Sequence, residues 1–496
     1  MTPGTRPLSV AVGAALACLV LLVPASAGAG SSPRAAPKVD WRTYGFNAKR
    51  SGFNPNETVL TPATVGGLHV KWQRQFDGVS ITSPIVATGV AVGTGFADLV
   101  FVGTEHGELS ARRASNGHLV WQRELGSVQT ACRDMPDQRF GISGTPLYVR
   151  ADNTLYVASA DGVAGQLLLY ALDASTGATR TGWPVALSDD PVHTHVWSAI
   201  NADGTDLYVT TAGICDIPPY FGRVFAINRT SGAIDGRWTV VHAGDEVHQG
   251  GGIWSYGGAA VTRADRSVFV ATGNALPPDP ESQPYADSVV RLKSGALGLR
   301  VSAASTPGLF GGDVDFGSTP ILYQTPGCEA HLVALNKTGA LFLYRADSVE
   351  TGPIQRLRIT LNREGRGKLI GSPAFDKETG MLYVSDPGPD RDPFVHGMLA
   401  LREDASCRLT EAWNQEAGPD GTTTLSTPTV AGGVVYYGDG RGETVRAFDA
   451  VTGGPLWDSG TTFTGPVFAA PVVVNGRLYV VSWNDTGDST LTMFGL

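Results

Sequence analysis

The sequence lacks several of the patterns that mark common kinds of site. It has no dense run of lysine or arginine, and its formal net charge is −9. Because phosphate backbones are bound by basic faces, this charge argues against a nucleic-acid partner. There are five cysteines and no Cys-x-x-Cys or Cys-x-x-Cys-His motif, which argues against a zinc ribbon and covalent haem c. No stretch shows sustained helical periodicity, so an all-β chain is favoured.

The N-terminal segment is expected to be a signal peptide over residues 1–29. Arg6 supplies a positive charge, an apolar run follows, and Ala25, Ser26 and Ala27 fit the small-x-small cleavage pattern. The run is too short for a confident spanning helix, and no second hydrophobic segment is long enough to cross a bilayer. We therefore expect a linker over residues 30–39. We also expect a secreted or periplasmic protein, exported to the cell-envelope exterior and not spanning the membrane.

One phrase recurs along the chain and is clearest from Ala447 to Trp457, where an acidic turn closes on Gly453 and a tryptophan follows. Each such glycine lies where a tight hairpin turn needs a positive φ. The tryptophan is expected on the last strand of a small sheet, wedged against the neighbouring sheet. The period of roughly 50 to 60 residues predicts a propeller or an array. The other copies end at Gly117, Gly177 and Gly232, and are followed by Trp121, Trp183 and Trp238.

A second rhythm divides the chain into eight copies. Many inner strands open with a small residue and a proline, as at Ser83-Pro84 and Thr427-Pro428, and a buried strand follows. The last copy has no outer strand, but Leu68–Phe76, which contains Trp72, has the outer-strand form. Closure of the ring by that strand would remove exposed sheet edges. We predict one all-β domain over residues 40–496: an eight-bladed β-propeller of four-stranded antiparallel blades, whose C-terminal blade is completed by the N-terminal strand.

Four segments in the middle of the chain carry a more specific pattern: Gly250–Trp254, Ala271–Asn274, Asp313–Pro320 and Asn336–Gly339. With the blade repeats, they make the chain resemble the pyrroloquinoline-quinone (PQQ) dehydrogenase propellers, the polyvinyl-alcohol dehydrogenase branch most closely. The resemblance covers essentially the whole mature chain.

The resemblance implies a role for six residues. Trp254 would form the floor beneath the quinone, Lys337 would reach the quinone oxygens, and Arg139 would bind a quinone carboxylate. Asn274 and Asp315 would be calcium ligands, with Asp216 the only acid near the place of the family's third ligand. Asp315 would also be the catalytic base; Asp313, two residues earlier, is the alternative register.

The activity implied is oxidation of a small-molecule alcohol or polyol. By resemblance, Ca²⁺ would polarise a quinone carbonyl while Asp315 takes the substrate proton and hydride passes to the quinone. Lys337 would stabilise the developing oxygen charge. Because no cytochrome domain is fused, a separate electron acceptor is implied.

Other interpretations stay open. The family's adjacent cysteine pair and its calcium-binding glutamate are absent, since Cys132 stands alone and the glutamate's place falls near Cys215. These departures favour a non-catalytic propeller that acts as a binding or assembly scaffold. Each candidate also has a structural explanation as a turn residue, a core tryptophan or a solvated charge. His193 and His195 form a His-x-His pair of the kind that binds metals, but alone it is typical of a loop.

The cysteines complete the expectations. Cys18 lies within the apolar run behind a poor lipobox, so its lipidation stays open. Export makes the other four candidates for disulfides, for which three pairings exist. We predict Cys132–Cys215, in loops bordering blades 2 and 3, and Cys328–Cys407, between a strand opening of blade 5 and an outer turn of blade 6.

Overall fold

The computed structural model describes Met1, Gly4 and residues 38–241, 248–279, 283–308, 314–360, 371–386, 393–416, 426–440 and 443–496. Lys38–Leu496 forms one compact unit. Apart from Met1 and Gly4, the predicted signal peptide lies outside the described residues, as do most of the predicted linker and Asp313. Among the described residues, no helix has the length and apolarity needed to cross a bilayer.

The chain folds into eight antiparallel blades, and the predicted propeller is confirmed. Each proline identified in the sequence directly precedes the first strand of a blade. A missing N–H costs no ladder hydrogen bond at that position. Blades 1–4 comprise Ile85–Val92, Gly95–Gly103, Glu108–Arg113, Leu119–Glu124; Leu147–Val149, Thr154–Asp161, Gln166–Asp173, Val185–Ser188; Asn201–Ala202, Asp206–Thr211, Arg223–Asn228, Ile234–Thr239; Ala260–Thr262, Ser267–Ala271, Val289–Gly295, Gly298–Ser305. Blades 5–8 comprise Ile321–Tyr323, His331–Leu335, Ala340–Arg345, Gln355–Arg358; Ala374–Asp376, Met381–Asp386, Gly397–Glu403, Leu409–Glu416; Thr429–Ala431, Val434–Asp439, Thr444–Asp449, Pro455–Asp458; Val472–Val474, Arg477–Trp483, Ser489–Gly495 and His69–Phe76.

The N-terminal strand closes the ring as predicted. His69–Phe76 pairs antiparallel with Ser489–Gly495 and forms the outer edge of blade 8. The remaining short elements are two hairpins and two 3₁₀ turns, and one two-residue strand, Phe53–Asn54, that adds parallel to blade 7. The hairpins are Val128–Gln129 with Arg139–Phe140 and Gln249–Gly250 with Ala275–Leu276; the 3₁₀ turns are Val65–Gly67 and Val349–Thr351.

Tryptophans of the repeat join neighbouring blades. The indole N–H of Trp121 in blade 1 donates to the Ala174 carbonyl of blade 2, and that of Trp413 in blade 6 donates to the Ala450 carbonyl of blade 7. The turn glycine of the next blade leaves room for each ring, since a Cβ on Gly453 would lie 2.7 Å from the Trp413 ring. The predicted wedge is therefore confirmed for Trp121, and Trp413, which the sequence did not reveal, makes the same kind of contact.

Trp183 differs from that prediction, because it precedes the outer strand Val185–Ser188 instead of lying in it. Pro184 follows it and has no N–H for the strand ladder. The Trp183 ring packs edge-to-face on Tyr156 of the same blade, with 5.5 Å between ring centroids.

A segment that the sequence did not reveal runs around the ring of inner strands. Residues 41–54 contact all eight blades in chain order. These contacts begin with the Trp41–Val86 bridge in blade 1 and end with the Asn54 side chain, which donates to the Val473 carbonyl of blade 8 at 2.9 Å. The intervening hydrogen bonds are Tyr148 N to Arg42 O, Thr43 Oγ1 to Ile200 O, Val261 N to Ala48 O, Leu322 N to Lys49 O, Phe375 N to Ser51 O and Val430 N to Gly52 O. We call residues 41–54 the ring segment.

The antiparallel blades give the propeller two faces. The front face carries the connections from second to third strands and from each blade to the next. The back face carries the connections from first to second and from third to fourth strands. Both predicted disulfides are confirmed: Cys132–Cys215 is on the front face and Cys328–Cys407 is on the back face, with Cα–Cα distances of 5.5 and 5.8 Å. Cys328 lies in a turn before its strand, not at the strand opening.

Candidate functional site

Three predicted site residues meet on the front face at Asp315. Its side chain is fully buried, and the residue lies in the connection from blade 4 to blade 5. One carboxylate oxygen accepts the backbone N–H of Asn274 at 2.7 Å, and the other accepts the ammonium group of Lys337 at 2.7 Å. The backbone N–H of Lys337 also donates to the Asp315 carbonyl at 2.9 Å. The carboxylate is therefore held from two neighbouring blades, by a charged and a neutral donor.

Trp254 lies beside Asp315, and two glycines, Gly252 and Gly273, permit this close packing. A Cβ on Gly273 would lie 2.4 Å from Asp315 Oδ1 and 2.7 Å from Trp254 Nε1, and a Cβ on Gly252 would lie 2.5 Å from the Trp254 ring. The indole Nε1 is buried and has no hydrogen-bond partner among the described residues. A buried donor without a partner carries an energetic cost. Gly273 therefore lets the Asp315 carboxylate and the Trp254 indole approach the same point of the backbone, and the unpartnered indole N–H is a candidate donor to a ligand.

Asp216 is connected to this group through an aromatic ring. It lies in a turn with positive φ next to Cys215, and its carboxylate accepts the hydroxyl of Tyr220. The Tyr220 ring packs edge-to-face on Trp254, with centroids 5.7 Å apart. Asp216 thus lies on the front face near the indole, and it is linked to the indole through Tyr220.

Arg139 occupies a more peripheral position. It is exposed on the hairpin strand Arg139–Phe140, and its guanidinium donates to Ser127 Oγ at 3.1 Å. Within the described residues, no hydrogen bond or ion pair joins it to Asp315, Asn274 or Lys337. Its predicted contact with a quinone carboxylate therefore stays a prediction.

The two histidines of the His-x-His pair have separate partners. His193 Nδ1 lies 2.9 Å from the carboxylate of Asp190, whereas the fully buried His195 places Nε2 2.5 Å from Ser143 Oγ. In the structure they serve different hydrogen bonds.

Sequence reasoning missed a buried chain of polar groups that joins blades 1, 2 and 3 on the front face. Glu105 accepts Ser143 Oγ–H at 2.6 Å and the Gly141 N–H at 3.0 Å, and Ser143 contacts His195. Burial raises the pKa of Glu105 to about 7 and lowers the pKa of His195 to about 3. Each residue lies in a connection where polar residues are ordinary, so no local pattern marks the three as a cluster.

The donor set can be compared with what PQQ and a calcium ion require. Asp315 offers a carboxylate, and Asn274, whose backbone N–H contacts that carboxylate, carries an amide that donates to the Ala275 carbonyl at 3.2 Å. Carboxylate and amide oxygens are ligand types that suit Ca²⁺. Among the described residues, the one group of three His, Cys, Asp or Glu donors within 4.8 Å is Cys132, Asp134 and Cys215. Those cysteines form a disulfide and offer no thiolate. The residue types of Asp315 and Asn274 thus fit the ion, and the indole beside Gly273 fits a flat ring.

A family model described as outer membrane protein assembly factor BamB matches residues 60–240 and 410–494, just over half of the chain. The chain belongs to the family of PQQ-like β-propellers. The resemblance stated from the sequence is thereby confirmed. The match covers blades 1–3, 7 and 8, so the PQQ-like repeat was identified in parts of the chain outside the Asp315 group.

The chain is also similar to known dehydrogenases. A polyvinylalcohol dehydrogenase from a Pseudomonas species is 22% identical over 490 residues, which covers 89% of this chain and 73% of that protein. The solved structure of a quinohemoprotein alcohol dehydrogenase from Pseudomonas putida matches with a TM-score of 0.69 and 18% identity, covering 92% and 80% of the two chains. A europium-containing methanol dehydrogenase matches with a TM-score of 0.69 and 14% identity, covering 92% and 98%. These structural matches show the fold.

Proposed function

We propose that this PQQ-like propeller is a quinoprotein dehydrogenase that oxidises an alcohol or polyol with PQQ and calcium. One observation carries the proposal: the buried Asp315 carboxylate is held by Lys337, and it lies with the Trp254 indole against Gly273. A buried carboxylate beside an unpartnered indole N–H and an ammonium group is the arrangement expected of a general base next to a bound ring. The similarity to alcohol dehydrogenases supports the same reaction class.

Oxidation of the alcohol removes a proton and a hydride, and each residue of the site would have its own role in that reaction. Asp315 would accept the hydroxyl proton at a carboxylate oxygen, and Lys337 would stabilise negative charge that develops nearby. Asp315 and Asn274 would hold the calcium ion, which acts as a Lewis acid. PQQ supplies the two-electron acceptor when it is bound, and Trp254 would pack against its ring. Because the carboxylate is fully buried, its donors hold it in one orientation.

The remaining parts of the proposal concern the cell. The expected signal peptide supports export. Electrons would leave through a separate acceptor, which a dye replaces in the assay. The proposed substrate is a small molecule, which the similarity to an alcohol dehydrogenase and a methanol dehydrogenase supports.

The test is reconstitution. We expect purified protein incubated with PQQ and Ca²⁺ to retain quinone absorbance after desalting and to reduce a dye with a panel of alcohols and polyols. Omission of Ca²⁺, or addition of EDTA, should lower both signals. Absence of retained quinone under all conditions would remove the proposal.

A second candidate is a non-catalytic scaffold. The matching family model is described as an assembly factor, and Cys215, not a glutamate, stands near the place of the family's third calcium ligand. A protein that retains no PQQ and oxidises no alcohol would favour this function.

A further inference from the structure

A charged cavity opens on the back face, away from the Asp315 group. Its volume is about 730 Å³, and its walls come from the ring segment and from blades 2, 3 and 4. No aspartate or glutamate is among the described residues that line it. Five of the lining residues are cationic: Arg42, Lys49, Arg150, Arg229 and Arg263.

Two of these cations are neutralised by neighbours, and three are not. Arg150 Nε donates to the carboxylate of Asp40 at 2.6 Å, and Arg229 donates to the carboxylate of Asp152 at 2.5 Å. For Arg42, Lys49 and Arg263, the described part of the chain provides no ion pair or hydrogen bond to the side-chain cation. The cavity therefore has an excess of three positive charges, in a protein whose formal net charge is −9.

A buried arginine behind the wall adds to this potential. Arg50 is 1% exposed, and its guanidinium donates to Thr43 Oγ1 at 2.7 Å and to the Ala199 and Ala259 carbonyls at 3.1 and 3.2 Å. These acceptors are neutral, and Thr43 itself lines the cavity. Burial lowers the pKa of Arg50 to about 9, which keeps it charged at neutral pH. A charge in a buried site acts over a longer distance than one in water.

The rest of the lining is suited to an organic molecule. Phe46, Leu147, Tyr148 and Val261 supply aromatic and aliphatic surface. The cavity volume is within the range of roughly 300–1,000 Å³ that ligand sites occupy. Apolar walls with a small number of charged groups are typical of a site that holds a small ligand in one orientation.

We propose that this cavity binds a small organic polyanion that carries two or more phosphate or carboxylate groups. Guanidinium groups offer paired N–H donors that match the oxygens of either group, and three uncompensated cations fit a ligand with about three negative charges. The ring segment brings Arg42 and Lys49 to the site through its contacts with blades 2 and 5, and Arg263 comes from a turn of blade 4. The site is separate from the Asp315 group, so it does not depend on the proposed dehydrogenase activity.

Calorimetric titration tests the proposal on the full mature chain at low ionic strength. Tripolyphosphate and citrate serve as the phosphate and carboxylate probes. The variants are Arg42→Ala, Lys49→Ala and Arg263→Ala, singly and combined. Lys377→Ala is the matched control, because Lys377 is an exposed lysine in a first-to-second turn of the back face and does not line the cavity.

We expect one-to-one binding of at least one probe, weakened about tenfold by each alanine substitution and weakened by added salt. The relative affinity for the two probes shows whether phosphate or carboxylate is preferred. The triple variant should lose binding while keeping the melting temperature of the parent, and Lys377→Ala should bind as the parent does. Failure of both probes to bind would overturn the proposal, as would equal binding by the triple variant or equal weakening by the control.

Discussion

Lys337 and Asp315 are joined twice. The ammonium group of Lys337 lies 2.7 Å from the carboxylate of Asp315, and the Lys337 backbone N–H donates to the Asp315 carbonyl at 2.9 Å. Asp315 is on the connection into blade 5, and Lys337 is on the connection between the second and third strands of that blade. The ion pair is thus fixed by main-chain geometry as well as by charge, and it places the carboxylate where Asn274 of blade 4 can also donate to it.

The first prediction concerns Asp315→Asn. The amide keeps one oxygen for Asn274 and for a metal ion, but it cannot take a substrate proton at neutral pH. Dye-linked alcohol oxidation should fall by about 10²-fold or more, while circular dichroism still shows the folded propeller. The matched change Asp313→Asn should be milder, because Asp315 is the residue assigned as the base. The reverse order would mean that the register is shifted by two residues.

The second prediction concerns Gly273, which packs against Asp315 and Trp254. Gly273→Ala places a Cβ 2.4 Å from Asp315 Oδ1 and 2.7 Å from Trp254 Nε1, so it should abolish retention of PQQ. Gly295→Ala in the same blade is the control, since a Cβ there meets nothing within 4 Å. Quinone absorbance after desalting is the measurement. Equal retention by both variants would show that no ligand ring lies beside Gly273.

The third prediction compares the two disulfides. They close loops of nearly equal length, with sequence separations of 83 and 79, so loss of either should cost a similar free energy of unfolding, about 2–5 kcal/mol. Only Cys132–Cys215 lies on the face that holds Asp315. We expect Cys132→Ser with Cys215→Ser to weaken PQQ retention, and Cys328→Ser with Cys407→Ser to leave it unchanged. Equal effects on retention would mean that only global stability matters.

The fourth prediction isolates a tryptophan wedge. Gly453 and Gly165 both have positive φ, at 74° and 66°, but only Gly453 faces a ring, that of Trp413; nothing lies within 4 Å of a Cβ on Gly165. Both alanine variants therefore carry a similar backbone strain. Gly453→Ala should lower the free energy of unfolding by about 1–3 kcal/mol more than Gly165→Ala does, because it overpacks the blade 6 and blade 7 junction. Urea denaturation measures the difference, and equal losses would contradict the wedge.

The fifth prediction is a pH dependence of stability. Burial raises the pKa of Glu105 from 4.5 to about 7, so its stabilising contribution is full below pH 4.5 and is lost as the pH rises to 7. Burial lowers the pKa of His195 from 6.5 to about 3, so its contribution grows as the pH rises from 3 to 6.5. From pH 4.5 to 6.5 the two slopes oppose each other.

Glu105→Gln should remove the carboxyl contribution, so that the pH dependence due to His195 alone can be measured. The variant's free energy of unfolding, minus that of the parent, should rise by about 1.4 kcal/mol per pH unit between pH 4.5 and 6.5. Urea denaturation at three pH values in that window measures it. Glu411→Gln, at an exposed site, is the matched control. A constant difference for Glu105→Gln would show that the buried carboxyl does not retain its proton.

The blades could be predicted from the sequence because each blade is formed by residues close together in the chain. Alternating strands, a proline before the inner strand, and a turn glycine followed by tryptophan all lie within about sixty residues, and each acts through backbone geometry or local burial. The same information identified the closing strand and both disulfides, since the order of blades fixes which loops are neighbours. Asp315, Asn274, Lys337 and Trp254 were found through the resemblance, and the structure brings them together.

Only the tertiary structure decided the features made by residues from distant blades. The ring segment, the Glu105–Ser143–His195 chain and the cationic cavity each join groups that are far apart in sequence and ordinary in their own local context. Burial then changes their chemistry, as in the raised pKa of Glu105 and the lowered pKa of Arg50. A carboxyl or guanidinium group has the same local sequence signature whether solvent or another blade covers it, so desolvation could not be predicted from the sequence.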